Sequence, residues 1–230
     1  MLIKRIEIPT EDLIAQKEYY SNVLELPAHL EDDSLLVKAG KTDILFTQAP
    51  ATWTGAYHFC FNIPENQFLQ ARVWLSKRIP LLKDEKGNDE FRSQSWNATS
   101  LYFKDTAGNI LEFIARHDQK NAVEFPFNSE QILQVSEIGL PSKDVIVFAK
   151  ELCEKLGVSV YKQEPNESFT PIGDEDGLLI LPVENRIWYP NTGVPARMLP
   201  VKVDVALSPK GKVNGREFKL SGVPYQVKGV

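Results

Sequence analysis

The chain has 230 residues, 43% of them hydrophobic, with a formal charge of −5. That is enough apolar sequence for a substantial core in one large domain or two small ones. A pI near 5.4 argues against nucleic acid as a partner, because a polyanion needs a concentrated basic face to displace its counterions.

The N-terminal run Leu2 to Ile8 carries Lys4, Arg5 and Glu7, unlike a signal or transit peptide. No apolar stretch approaches the roughly 20 residues of a membrane-spanning helix, so a soluble cytoplasmic protein without a membrane partner is expected. Cys60 and Cys153 stand far apart, without zinc-knuckle or redox spacing, and are expected to be buried thiols.

In chain order, a strand–turn–helix pattern appears three times. The first copy is Arg5-Ile-Glu-Ile-Pro-Thr-Glu-Asp-Leu13 and the third is Glu137-Ile-Gly-Leu-Pro-Ser-Lys-Asp-Val145. Between them His58-Phe-Cys-Phe-Asn-Ile-Pro-Glu-Asn66 repeats the strand. Leu13, Tyr19, Tyr20, Val23 and Leu24, and later Phe148, Leu152 and Leu156, follow a helical period. Asp12, Asn66 and Asp144 fall at cap or first-turn positions, where short polar side chains accept from free backbone N–H groups. Val37, Asp43 to Thr47, Ser100 to Phe103 and Ile110 to Ile114 read as strands, interrupted by Gly40 and by the turn Asp105 to Asn109. Residues 117–131 are mostly polar and read as an inter-domain linker. Asp174-Glu-Asp-Gly177 reads as a tight turn, since no glutamate follows at calcium-loop spacing. After Pro190, the alternation of Val201 to Leu207 reads as a half-buried strand. This points to a truncated fourth module that partners the third.

These segments resemble a known family. Ser100-Leu-Tyr-Phe-Lys-Asp-Thr-Ala-Gly-Asn-Ile-Leu-Glu-Phe113 is similar to the YFxDPxGNxLEF hairpin of the vicinal oxygen chelate superfamily, the glyoxalase, bleomycin-resistance and extradiol-dioxygenase group. Leu13 to Leu26 resembles that family's first helix. The resemblance implies an α+β fold of tandem βαβββ modules forming an incomplete, cup-shaped barrel, with a third module and a partial fourth. It places a paired-module domain at 1–116, a linker at 117–131 and a second domain at 132–230.

By the same resemblance, the metal-ligand positions fall on His58 and Glu112, with Glu112 also the catalytic candidate. Imidazole and carboxylate suit Fe, Mn, Ni or Zn. The other two positions of the 1–116 domain fall on Arg5 and near Leu45, which cannot bind a metal. Glu7 or Gln48 could substitute, and Glu112 could instead pair with Arg5. In the third module, the position matching His58 is Glu137 and that matching Glu112 is Leu181, so a second complete metal site is not expected. Glu137 then reads as an ordinary strand-end carboxylate, and His29 and His117 as surface residues. Arg5, Glu7, Trp53, Tyr57, Phe91 and Trp96 are the expected contacts of a small-molecule substrate.

Two functions follow from the resemblance. One is a metal-dependent lyase or ring-cleaving dioxygenase acting on a small oxygenated substrate. The alternative is a metal-free small-molecule binding or sequestration protein of the bleomycin-resistance type. Faces outside the cup leave room for a homodimer.

Overall fold

The computed structural model describes residues 1–50, 52–207 and 215–230. Its elements run β1 (Leu2–Thr10), α1 (Leu13–Asn22), β2 (Ala28–Glu31), β3 (Ser34–Ala39), β4 (Thr42–Gln48), β5 (His58–Ile63), α2 (Phe68–Ser76), β6 (Phe91–Ser93), β7 (Ala98–Lys104) and β8 (Ile110–Arg116). They continue with β9 (Gln134–Gly139), α3 (Val145–Leu156), β10 (Phe169–Asp174), β11 (Gly177–Pro182), β12 (Val201–Ala206), β13 (Glu217–Lys219) and β14 (Tyr225–Gly229). Two modules are complete βαβββ units, the third lacks one strand, and the fourth has strands but no helix among the described residues.

Local chemistry explains the module boundaries. Asp12 starts α1 by accepting from the backbone N–H groups of Ile14 and Ala15 at 3.0 and 2.9 Å, which satisfies donors that have no partner inside the helix. Asp144 does the same for α3 through Val147 at 3.0 Å. Gly157 stops α3 in the left-handed conformation, φ 68°, where glycine carries no Cβ penalty. Asn66 does not cap α2, whose start has no side-chain cap. It exchanges hydrogen bonds with the backbone of Val123 at 2.8 and 3.1 Å, so the expected linker is pinned to the second module. The Asp174–Gly177 turn is a two-residue hairpin connection between β10 and β11, as its composition suggests.

The strands form two seven-stranded mixed sheets, ordered β13-β14-β12-β1-β4-β3-β2 and β10-β11-β9-β5-β8-β7-β6. The pairing differs from the sequence expectation. The second module joins the third, through β5 antiparallel to β9. The first joins the partial fourth, through β1 antiparallel to β12. The expected grouping of residues 1–116 therefore does not share one cup, and the tail partners the first module rather than the third. The physical reason is edge satisfaction: β1 and β5 each have one flank filled by their own module, β4 and β8 respectively. Each open flank needs a foreign strand to pair its backbone, and no local sequence pattern says which module supplies it.

The largest buried cluster draws on both sheets and all three helices, from Ile6 and Phe46 to Phe61, Phe113, Leu152 and Val203. Gly40, in the β3–β4 turn, closes the contact between the sheets. A Cβ there would lie 1.9 Å from the Leu133 carbonyl oxygen, to which Lys41 N–H donates at 2.9 Å. Among the described residues no helix is long and apolar enough to cross a membrane.

Candidate functional site

Side chains alternate across a strand, so residues in register on β5, β8 and β9 face the same way. His58 is opposite Ile110, and Cys60 is opposite both Glu112 and Glu137. The odd-numbered residues Phe59, Phe61, Leu111 and Phe113 enter the common core. The even-numbered ones, with Tyr102 and Ser100 from β7, line the concave face. A bulge between Cys60 and Phe61 in the β5–β9 ladder brings Glu137 onto that face.

The result is a cluster of His58, Glu112 and Glu137, all buried, with one ligand atom of each within 4.8 Å of the others. Nδ1 of His58 lies 3.0 Å from the Ile110 carbonyl oxygen, which accepts only if Nδ1 carries the proton. Nε2 is then a free lone pair, and it faces Oε2 of Glu112 at 3.6 Å. Burial lowers the His58 pKa to about 4 against the support of that hydrogen bond, so the ring is neutral at pH 7. Burial, and then the charge of Glu137, push Glu112 up to about 8, while Ser100, Arg116 and Tyr102 oppose the shift.

Glu137 is also raised by burial, against the opposing charge of Arg116. Arg116 is fully enclosed. It donates Nη2–H to Glu137 Oε1 and Nε–H to Asn62 Oδ1 at 3.2 Å, while its Nη1 has no partner. Desolvation disfavours its charge, but Glu137 and the neighbouring groups outweigh that and raise its pKa. Its guanidinium carbon sits 5.4 Å from the Trp96 ring centroid and 5.7 Å from that of Tyr161. The cluster thus holds two carboxyl groups beside one fixed cation.

Above the cluster is a cavity of about 370 Å³, within the range of small-molecule sites. Phe91 and Tyr102 form one wall, Trp96 and Phe169 another, and Trp188 and Tyr189 descend from the β11–β12 connection. That connection is a short hairpin held by Trp188 N–H to the Val194 carbonyl at 2.9 Å and Ala196 N–H to the Arg186 carbonyl at 2.8 Å. It brings the Trp188 ring centroid to 4.9 Å from that of His58.

The architecture has close structural counterparts, although no family model and no curated protein sequence matches the chain. A candidate dioxygenase from Bacillus subtilis superposes with a TM-score of 0.65 at 15% identity, covering 100% of this chain and 85% of the other. Glyoxalase I from Zea mays superposes with a TM-score of 0.59 at 15% identity, covering 98% and 90%. The chain has the vicinal oxygen chelate fold.

Of the positions that the sequence resemblance implies as ligands, those of the second and third modules lie on β5, β8, β9 and β11 of one sheet. His58, Glu112 and Glu137 face inward on the first three, and Ile180 faces inward on the fourth. Leu181, the residue expected there, is one place out of register and lies in the common core, whereas Ile180 lines the cavity. Glu137 is therefore part of the same cluster as His58, and no ordinary strand-end carboxylate.

The other sequence expectations divide. Phe91 and Trp96 line the cavity. Arg5 and Glu7 lie on the other sheet, where Glu7 pairs with Lys202 at 2.6 Å, so the Arg5–Glu112 ion pair does not form. Arg5 is opposite Asp43 and Asp204, and Glu7 opposite Leu45, which gives that sheet's outer face a ladder of mixed charge. Tyr57 is buried, stacks on Trp53 at 6.2 Å and donates to the Pro200 carbonyl at 2.8 Å; neither ring lines the cavity. Gln48 donates to the Glu11 carbonyl at 2.9 Å. His29 is exposed and His117 meets Thr99 at 2.9 Å. Cys60 is buried on the cluster's own face and Cys153 is partly buried.

Sequence reasoning missed Arg116, Tyr102, Phe169, Arg186, Trp188 and Tyr189. For Arg116 a signal existed: it stands four residues after Glu112 and so shares its face. The hairpin residues carry no motif.

Proposed function

We propose that this chain is an enzyme of the glyoxalase and dioxygenase kind, in which His58, Glu112 and Glu137 hold one divalent metal ion at the floor of the aromatic cavity. One observation carries the reading. Two buried groups, the His58 Nε2 lone pair and a Glu112 oxygen, face each other at 3.6 Å without a donor between them. Lone pairs in that arrangement repel unless a cation or proton lies between them. One nitrogen and two carboxylates suit Fe(II), Mn(II), Ni(II) or Zn(II). When bound, such an ion supplies Lewis-acid polarisation of neighbouring substrate oxygens.

The chain's own groups support that role. The Ile110 carbonyl fixes the His58 tautomer and ring plane, as outer partners of histidine ligands do. Arg116 holds one oxygen of Glu137 and leaves the other free for the cluster. The hydroxyls of Ser100 and Tyr102 favour the charged form of Glu112. Glu112 is also the group able to hold or release a proton near neutral pH. The aromatic walls exclude water from the floor.

A metal-free reading, a binding or sequestration protein, has its own support. Arg116 already compensates one carboxylate, and a Glu112 pKa of about 8 lets a proton occupy the gap beside His58. Metal analysis of the purified protein separates the two. The enzyme reading expects about one divalent ion per chain, lost in His58→Ala. A wild type that holds none after reconstitution with Fe(II), Mn(II), Ni(II) and Zn(II) overturns it.

A further inference from the structure

The cavity's charges are segregated. Its acids, Glu112 and Glu137, lie at the buried floor, and among the described residues its only other charged lining residues are Arg92 and Arg186. Arg186 belongs to the hairpin that carries Trp188 and stands solvent-accessible at the rim, its guanidinium carbon 4.8 Å from the Phe169 ring centroid. Arg92 is exposed on β6, the edge strand of the same sheet. Among the described residues neither guanidinium has a carboxylate or other acceptor as partner. The indole N–H of Trp188, buried beside the same space, also lacks an acceptor. The surround of the cavity therefore has donors in excess.

We infer that the substrate of this cavity is a small planar monoanion, a ring-bearing carboxylate whose ring lies between the aromatic walls and whose carboxylate meets Arg186, with Arg92 beside it. The planar guanidinium matches a carboxylate edge with two parallel N–H donors. Stacking on Phe169 holds the fork in place without consuming those donors. A carboxylate fits better than a phosphate because it lies coplanar with its ring and keeps the ligand flat between the aromatic walls, which a tetrahedral phosphate does not. The inference rests on the cavity being the substrate site proposed above, and is independent of the metal.

The test uses metal-free full-length protein, with fluorescence of the cavity tryptophans, Trp96 and Trp188, as the readout. Benzoate, benzamide and phenyl phosphate are titrated into wild type, Arg186→Met, Arg186→Lys and Arg92→Met. Benzoate is expected to bind saturably and more tightly than benzamide. Arg186→Met weakens benzoate roughly tenfold or more and leaves benzamide unchanged, as loss of a charge-assisted pair should. Arg186→Lys, which keeps the charge without the fork, falls between, and Arg92→Met gives a smaller loss. Equal binding of benzoate and benzamide, or no effect of any arginine variant, overturns the inference. Tighter binding of phenyl phosphate than of benzoate overturns the choice of carboxylate. Because no metal is added, a protein that binds benzoate through Arg186 but never takes up a metal contradicts only the enzyme reading. One that takes up a metal but ignores the benzoate charge contradicts only this one.

Discussion

Nε2 of His58 and Oε2 of Glu112 face each other at 3.6 Å, on adjacent parallel strands held in register by the His58–Ile110 and Cys60–Glu112 pairs. The backbone creates this proximity, and at that separation neither side chain makes a hydrogen bond to the other.

In the metal-free protein the burial of these two groups sets a pH dependence. The pKa of Glu112 rises from 4.5 to about 8, so the folded chain keeps a proton that the unfolded chain releases, and stability falls as pH rises across that interval. The pKa of His58 moves from 6.5 to about 4. The unfolded chain then takes up a proton that the folded one refuses, and stability falls as pH drops from 6.5 to 4. Between pH 6.5 and 8 the His58 contribution levels off while the Glu112 contribution continues to fall. Thermal unfolding of metal-free protein is expected to show a Tm that declines from pH 6.5 to 8, with the decline flattened in Glu112→Gln. An unchanged slope in the variant would count against the assignment.

Removing Arg116 should be costly for a specific reason. Arg116→Met leaves Glu137 buried with no counter-charge, which typically costs about 3–5 kcal/mol. Arg116→Met combined with Glu137→Gln removes both charges and should recover much of the loss. Denaturant melts of the two single variants and the double variant give the coupling energy. Additive losses in the cycle would show that the pair is not coupled.

The contact between the two sheets at Gly40 gives a third expectation. Gly40→Ala must adopt φ 55° and also displace the Leu133 backbone, so it should destabilise the fold by more than about 1 kcal/mol. Gly87→Ala provides the comparison. It shares a positive φ, 84°, but meets nothing within 4 Å, and should lose less. Equal losses in chemical denaturation would mean that backbone strain alone, and not the inter-sheet contact, limits position 40.

The module pattern was legible because it is local. Asp12 and Asp144 cap their helices, Gly108 turns the β7–β8 hairpin, and the alternation of Val201 to Ala206 marks β12. That His58 and Glu112 face the same cavity was legible for the same reason, each standing at a fixed place in its own module. Module pairing was not, because β1 and β5 present equivalent open flanks and the choice between partners depends on the shape of the whole core. That hid the meaning of Glu137, which becomes a neighbour of His58 only once β9 lies against β5. It also drew Arg5 and Glu7 into a cup they do not share. Trp188 and Arg186 were hidden because the hairpin that carries them has neither period nor motif.

The central claim is that the second and third modules build the site together, so that Glu137 belongs to it and the first module does not. The most direct measurement is calorimetric titration of Mn(II) into metal-free wild type, Glu137→Ala and Glu7→Ala. Wild type is expected to bind about one ion per chain. Glu137→Ala should weaken binding by at least about tenfold, since a lost ligand costs no less than a lost outer partner, and Glu7→Ala should match wild type. Binding that survives Glu137→Ala and fails in Glu7→Ala would contradict the account, as would the absence of any Mn(II) binding to wild type.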